Sequence, residues 1–291
     1  MPFDCHLILL NKPTDITSSQ VAGRVKKLLN LKKIGHTGTL DPMATGMLPL
    51  CLNQATRYSQ YLISKTKNYT ATGIFGNKTD TGDSSGSVIK TSTHRPSPRD
   101  LEQAVDNLIG LSEQIPPMYS ARHYQGKRLY QLARAGLVVP RESRPIQISQ
   151  IQLDWYKPPS FQISLTCSSG TYVRTLIEDI ADRVNTVATM THLHRNWVEP
   201  LASYPMVELN DINDLSADSE HYIAIDQVIQ IPTVIISETE ATDLKAGKIA
   251  TYQHNFSEPQ ECKAYQQDAF LGIVTAYDSM YLKAKRLRPT Q

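Results

Sequence analysis

Cysteine is scarce in this chain and never clustered: Cys5, Cys51, Cys167 and Cys262 stand far apart, with no CxxC spacing. That excludes a disulfide framework and a zinc ribbon, and fits reduced thiols in a cytoplasm. No apolar run reaches the ~18 residues that a membrane-spanning helix requires. The first ten residues carry Asp4 and His6 instead of a basic segment before a long apolar core, so no secretory leader is expected. The phosphate-cradling G-x-x-x-x-G-K-[ST], the dinucleotide G-x-G-x-x-G, the nucleophile elbow G-x-S-x-G and the zinc motif H-E-x-x-H are all missing. His192 and His194 flank Leu193 without a third ligand nearby, so no metal site is expected.

What is present is an uneven charge. The 291 residues carry a net charge of only +2, yet residues 201–244 hold nine acidic side chains and no Lys or Arg, leaving the remainder strongly basic. Lys12, Arg24, Lys26, Lys27, Lys32 and Lys33 gather between Asn11 and Gly35, and six further basic residues lie between Arg122 and Arg144. Such clusters suit a polyanion, because phosphate contacts release counterions; a solvated helix face is the plainer alternative.

Along the chain, His6–Leu10 reads as a buried strand, followed by a helix whose Thr17 and Gln20 match a capping box. Met47–Leu52 reads as a second buried strand, after which Asn53 is placed as a helix cap. Lys67–Gly76 is a strand with Tyr69, Ala71, Gly73 and Phe75 on one face, running into a polar loop at 77–86. Ser97-Pro98 starts a helix, and Leu129, Leu132 and Ala133 suggest a short, weakly anchored helix in a basic flap. Phe161–Cys167 alternates as a strand, and a helix carrying Leu176, Ile177 and Ile180 follows the turn at Ser168-Ser169-Gly170. Residues 201–244 read as a connection, and short β-rich runs from Thr233 onward suggest a small appended β-barrel.

The most informative segment is Gly35–Pro49, which holds a single carboxylate, Asp41, among glycines, prolines and threonines. Pro42 steers Asp41 toward extended backbone, on a stiff loop where glycines permit close ligand approach; an ordinary turn has the same composition. Arg174 falls in the first turn of its helix, where a cation opposes the macrodipole unless an anion lies nearby. A loop carboxylate, an arginine, strand tyrosines and basic flanks suit covalent or general-base catalysis on a polyanionic substrate.

The segments Lys12-Pro13, Gly35-His36-Thr37-Gly38-Thr39-Leu40-Asp41-Pro42, Asp80-Thr81-Gly82-Asp83, Pro117-Met118-Tyr119-Ser120-Ala121 and Gly170-Thr171-Tyr172-Val173-Arg174 together resemble the TruB family of tRNA pseudouridine-55 synthases. The resemblance implies a mixed α/β (α+β) catalytic domain with a central, mostly antiparallel mixed sheet over residues 1–229, and a small C-terminal β-barrel, PUA-like RNA-binding domain over 230–291. It implies Asp41 as nucleophile, Tyr69 stacking on the uracil and exchanging a proton at C5, and Arg174 pairing with Asp41. It further implies substrate contacts at His36, Tyr69, Tyr172, Leu193 and Lys12. Asp15, His194 and Arg122-His123 depart from the family pattern but spare the trio.

The implied reaction breaks the C1′–N1 bond of a flipped-out uridine and joins C1′ to C5 without net redox change, so no cofactor is required. Attack by Asp41 at uracil C6 or at ribose C1′ are both open. The implied partner is the T-arm of tRNA, with a cytoplasmic monomer as the expected form. A non-catalytic RNA-binding or tRNA-folding protein on the same scaffold, and a hydrolase using Asp41 as general base, are the competing readings.

Overall fold

The computed structural model describes residues 4–63, 66–256 and 258–289. Strand β1 (His6–Lys12) is buried on both faces, with Leu7 to Leu10 wholly covered, which is why its sequence is a continuous apolar run. Helix α1 (Ser18–Leu28) opens on the capping box: Gln20 N donates to Thr17 Oγ1 at 3.2 Å and Thr17 N to Gln20 Oε1 at 3.0 Å. Strands β2 (Ile34–His36) and β3 (Thr45–Leu52) bracket the Asp41 loop, and a 3-10 segment, Asn53–Leu62, follows.

Strand β4 (Thr66–Phe75) buries Tyr69, Ala71, Gly73 and Phe75, the alternation read from the sequence. Next come β5 (Asn77–Thr79), β6 (Val88–Thr91), α2 (Pro98–Asp106), β7 (Gly110–Gln114), the short hairpin β8 (His123–Tyr124) and β9 (Lys127–Arg128), and α3 (Leu129–Arg134). Strands β10 (Arg144–Lys157) and β11 (Ser160–Ser168) pair antiparallel, α4 (Val173–Arg183) crosses the sheet, and β12 (Ala188–Val198) returns to its centre. Short pieces follow: β13 (Val207–Glu208), β14 (Ile223–Ala224) and α5 (Ile225–Val228).

The large sheet runs β13-β1-β3-β12-β4-β11-β10-β7, with β2 on β3 and β14 on β1. Only β13 against β1 and β12 against β3 are parallel, so the sheet is mixed and mostly antiparallel. Helices α2 and α4 cover one face through Leu101, Val105, Leu176, Ile177 and Ile180, packed on Phe75, Phe161 and Ile163. At Gly73 a Cβ would stand 2.6 Å from the Phe161 ring, so the strand is bare where that ring crosses it.

A second sheet uses β15 (Thr233–Ile235), β16 (Ala250–Thr251), β17 (Gln260–Gln266), β18 (Ala269–Tyr277) and β19 (Tyr281–Leu287), with α6 (Glu238–Lys245) packed beside it. Its order, β15-β17-β18-β19-β16, is an open, curled five-stranded sheet consistent with a PUA-like half-barrel. Phe270 and Ile273 of this sheet share a core with Tyr58 and Leu62, and Tyr265 Oη donates to Asp226 Oδ2 at 2.7 Å. Among the described residues no helix is long and apolar enough to cross a membrane.

Some local expectations are corrected. Asn53 does not cap the segment after it; at φ 46° its side chain turns back to accept from Lys32 N and Lys33 N, at 3.0 and 3.2 Å. The polar stretch 77–86 is not all loop, because Asn77–Thr79 pairs with Val88–Thr91. The acidic stretch is more than a connection: Val207, Ile212, Ile223 and Ile225 are buried against the β1 side of the sheet. There the apolar side chains are spaced too widely to register as a periodic element.

Candidate active site

The Asp41 loop is tied down from several directions. Ser18 Oγ, at the start of α1, accepts from Leu40 N at 2.9 Å and donates to Leu40 O at 3.0 Å. Lys12 Nζ donates to the carbonyl of Pro42 at 3.0 Å, and Arg195 Nη2 to that of Gly38 at 3.0 Å. Residues 38, 40 and 42 are thus fixed from β12, α1 and β1, and the Asp41 side chain reaches toward α4. Gly46 closes the loop at φ +98°, where a Cβ would lie 2.3 Å from the Arg195 carbonyl.

Arg174 meets that carboxylate. Its Nε lies 2.9 Å from Asp41 Oδ2 and its Nη2 3.5 Å from Asp41 Oδ1, while its own side chain is only 6% exposed. Nη1 donates to Thr81 O at 2.6 Å and Nη2 to Tyr119 O at 2.8 Å, so the planar guanidinium is held by rigid acceptors. Asp83 Oδ2 lies 3.8 Å from Nε, and its other oxygen accepts from Thr81 Oγ1, Ser85 N and Ser85 Oγ. The cation at the start of α4 therefore stands against two carboxylates, which offsets its conflict with the helix dipole. Burial pushes the Asp41 carboxyl above its ordinary value and Arg174 pulls it back.

Tyr69 and Leu193 complete the wall. Both are at most 8% exposed and share a core cluster with Leu40, and across the sheet Arg195 pairs with Tyr69 and Leu193 with Ala71. His36 ends β2 with its Nδ1 buried and unpartnered among the described residues, and burial lowers its basicity. Tyr172 precedes α4, locked by Gln114, which accepts from Tyr172 N at 2.7 Å and donates to its carbonyl at 3.1 Å. Lys12 is fully buried, and its ammonium donates to Pro13 O, Ile16 O and Pro42 O, so it reaches the loop and no open surface. A direct substrate contact at Lys12, as the resemblance implies, would require breaking one of those bonds. His194 Nδ1 sits 2.8 Å from Thr45 Oγ1, and the described residues hold no group of three or more His, Cys, Asp and Glu able to bind a metal.

This geometry can be set against known proteins. Residues 26–173 match the N-terminal domain of the TruB family of pseudouridylate synthases, and 174–232 match the tRNA pseudouridylate synthase B C-terminal domain. The chain belongs to the TruB family. A tRNA pseudouridine synthase B of Legionella pneumophila (strain Lens) is 39% identical over 286 residues, covering 97% of this chain and 94% of the relative. One from Vibrio campbellii is 35% identical over 295 residues, with the same coverage of both. Among solved structures, a Cbf5-Nop10-Gar1 complex gives a TM-score of 0.74 at 20% identity, over 99% of this chain and 86% of the other, which bears on the fold alone.

Within this TruB-family site, three groups carry no distinctive mark in the sequence. Asp83 stands inside a family-like motif without an obvious role, Ser18 looks like one more helix-start serine, and Arg195 lies on a strand with no clear pattern. Along β12 the apolar alternation changes phase between Met190 and Leu193, at the irregularity between Met190 and His192, and Arg195 then occupies an inward position that the pattern reserves for an apolar residue.

Proposed function

We propose that this chain isomerises uridine 55 in the T loop of tRNA to pseudouridine, with Asp41 as the nucleophile on a flipped-out uridine. The observation that carries the reading is the carboxylate of Asp41, one third exposed at the cleft and paired at 2.9 Å with a buried arginine. Arg174 favours the ionised carboxylate against the opposing effect of burial and fixes its direction, which is what covalent catalysis by a weak nucleophile requires. The exposed third of the side chain is where a base entering from solvent would meet it. Membership of the TruB family and the names of its 35–39% identical relatives support tRNA as the substrate class.

In this reading Asp41 attacks, Arg174 keeps it ionised, and Asp83 holds Arg174 as a positioning residue. Tyr69 and Leu193 receive the uracil, Tyr172 lines the entrance, and His36 stands beside the vacated stack. Lys12 acts through the loop backbone. Residues 1–229 form the catalytic unit and 230–291 the RNA-docking unit of a cytoplasmic monomer. The reaction moves a glycosidic bond within one nucleotide and needs no cofactor.

The test is release of tritium from 5-tritiated uridine in a T-arm hairpin, with direct detection of pseudouridine. Asp41→Asn should abolish both while the hairpin still binds. Product formation by that variant would refute the assignment, and turnover of a small phosphorylated substrate without RNA would favour a hydrolase.

A further inference from the structure

Beyond the Asp41–Arg174 pair, the site contains a second buried guanidinium that the chemistry proposed above leaves unused. Arg195 is 1% exposed and, among the described residues, has no carboxylate in ion-pairing distance. Its Nε donates to Met47 O at 2.7 Å and its Nη2 to Gly38 O at 3.0 Å. It stands directly opposite Tyr69 in the β12–β4 register, and its charge favours the ionised form of the Tyr69 phenol. Two places along β4, on the same face, the half-buried Lys67 also forms no ion pair among the described residues. A buried cation without an anion is costly, so this pair of cations marks a place where negative charge is to be accommodated. Asp41 does not fill that role, since its carboxylate is directed to Arg174.

We infer that Arg195 is a positioning residue that acts through Tyr69, orienting its hydroxyl toward the bound base and stabilising its phenolate so that Tyr69 can take the C5 proton. The inference rests on the pseudouridine reading above. Arginine has donors only, so toward Tyr69 it can act only as a donor, and it favours the phenolate that accepts the C5 proton over the neutral phenol. In the proton step the C5–H bond of the C5-glycosylated base breaks and its proton passes to the phenolate oxygen. The C–H electron pair becomes the C5=C6 double bond, and the former N1=C6 pair moves to N1, which takes a proton from water. The hydroxide so formed returns Tyr69 to phenolate.

The groups facing Tyr69 are Arg195 from β12, Cys167 from β11 and Asp41 from the loop, with Lys67 on its own strand. Burial drives the phenol above its ordinary range, Cys167 and Asp41 push the same way, and Arg195 opposes them. Burial also depresses Lys67, and the neighbouring Arg195 adds to that effect.

The experiment measures single-turnover pseudouridine formation in a T-arm hairpin against pH for wild type, Arg195→Gln, Arg195→Lys, Tyr69→Phe and the Tyr69→Phe/Arg195→Gln double variant, with hairpin affinity and circular dichroism alongside. Arg195→Gln should be slower on the order of 10- to 100-fold near neutrality, the lower end of acid–base contributions. Its deficit should narrow as the pH approaches the ordinary tyrosine range, about 10. Arg195→Lys keeps the charge and should stay within about threefold of wild type with an unchanged profile, and the double variant should be no slower than Tyr69→Phe alone. A pH-independent deficit in Arg195→Gln, or a double variant slower by the full Arg195→Gln factor, would overturn the inference and leave Arg195 a support for Gly38. If the Gln variant does not fold, a folded Arg195→Lys that loses tenfold or more at every pH overturns it equally. Full activity in Tyr69→Phe would refute the role of Tyr69 itself, whereas a slow Tyr69→Phe beside a normal Arg195→Gln sinks only the inference.

Discussion

The ammonium of Lys12, at the end of the first strand, donates to the carbonyl of Pro42, immediately after Asp41, across 3.0 Å. Two further bonds of 2.7 Å, to Pro13 O and Ile16 O, complete its three donors, and the side chain is wholly buried. Lys12→Met strips three carbonyls of their partner. We expect a loss of about 1–3 kcal/mol in chemical denaturation, the usual cost of unsatisfying buried groups, and a larger loss in turnover. Burial lowers the Lys12 pKa to about 8 from its ordinary 10.5. The unfolded chain therefore binds more protons between those values, and Lys12 makes stability rise with pH across that window. Denaturation midpoints should rise from pH 8 to 10.5 for wild type relative to Lys12→Met, and parallel curves would contradict the assignment.

Asp41 sets the acid side of the rate profile. The nucleophile must be ionised, and burial raises its pKa above the ordinary 3.8 while Arg174 limits the rise. Turnover is therefore lost as the pH falls through the raised value, at higher pH than for a free aspartate. Measuring single-turnover rates on the acid side locates this limb. In Arg174→Lys, which loses the fork that bonds both oxygens, the limb should move to still higher pH.

Asp83 buttresses the pair from behind, 3.8 Å from Arg174 Nε. Asp83→Asn keeps the shape but removes the charge, so Arg174 is drawn wholly to Asp41. We expect kcat to fall on the order of tenfold, about 1.4 kcal/mol, with hairpin affinity unchanged. Equal losses in kcat and binding would mean that the loop had collapsed.

Pro42 stiffens the loop, and its carbonyl is the one Lys12 holds. Pro42→Gly frees φ at that position and relaxes Asp41 toward other conformations. Single-turnover rate should fall more than hairpin affinity; a change confined to affinity would place Pro42 in RNA docking.

The basic flap carries exposed Arg128 and Arg134, the latter 5.5 Å above the Tyr130 ring. Charge reversal at both should weaken hairpin binding and flatten the dependence of log affinity on log salt by ~0.7–0.9 for each phosphate that the flap ceases to neutralise. A salt slope equal to that of wild type would show that the flap does not touch phosphate.

Much of this protein is legible in the chain itself. The capping box at Thr17 and Gln20, the alternation through β4 and the helix after Gly170 are local patterns, set by hydrogen bonding and periodicity within a few residues. Asp41 and Arg174 are also legible, as a carboxylate on a stiff loop and a cation misplaced at a helix start, each needing something its neighbours do not supply. Their meeting at 2.9 Å is a tertiary fact, as are the carbonyls that hold Arg174 and the three ties on the Asp41 loop. Lys12 and Arg195 show why: a basic residue in sequence looks like surface charge, and only the packing of β1 and β12 against the loop buries it. Local sequence determined which segments could become strands and helices, whereas the long-range order of the sheet decided which lone charges would face one another, because burial converts a distant residue into a partner.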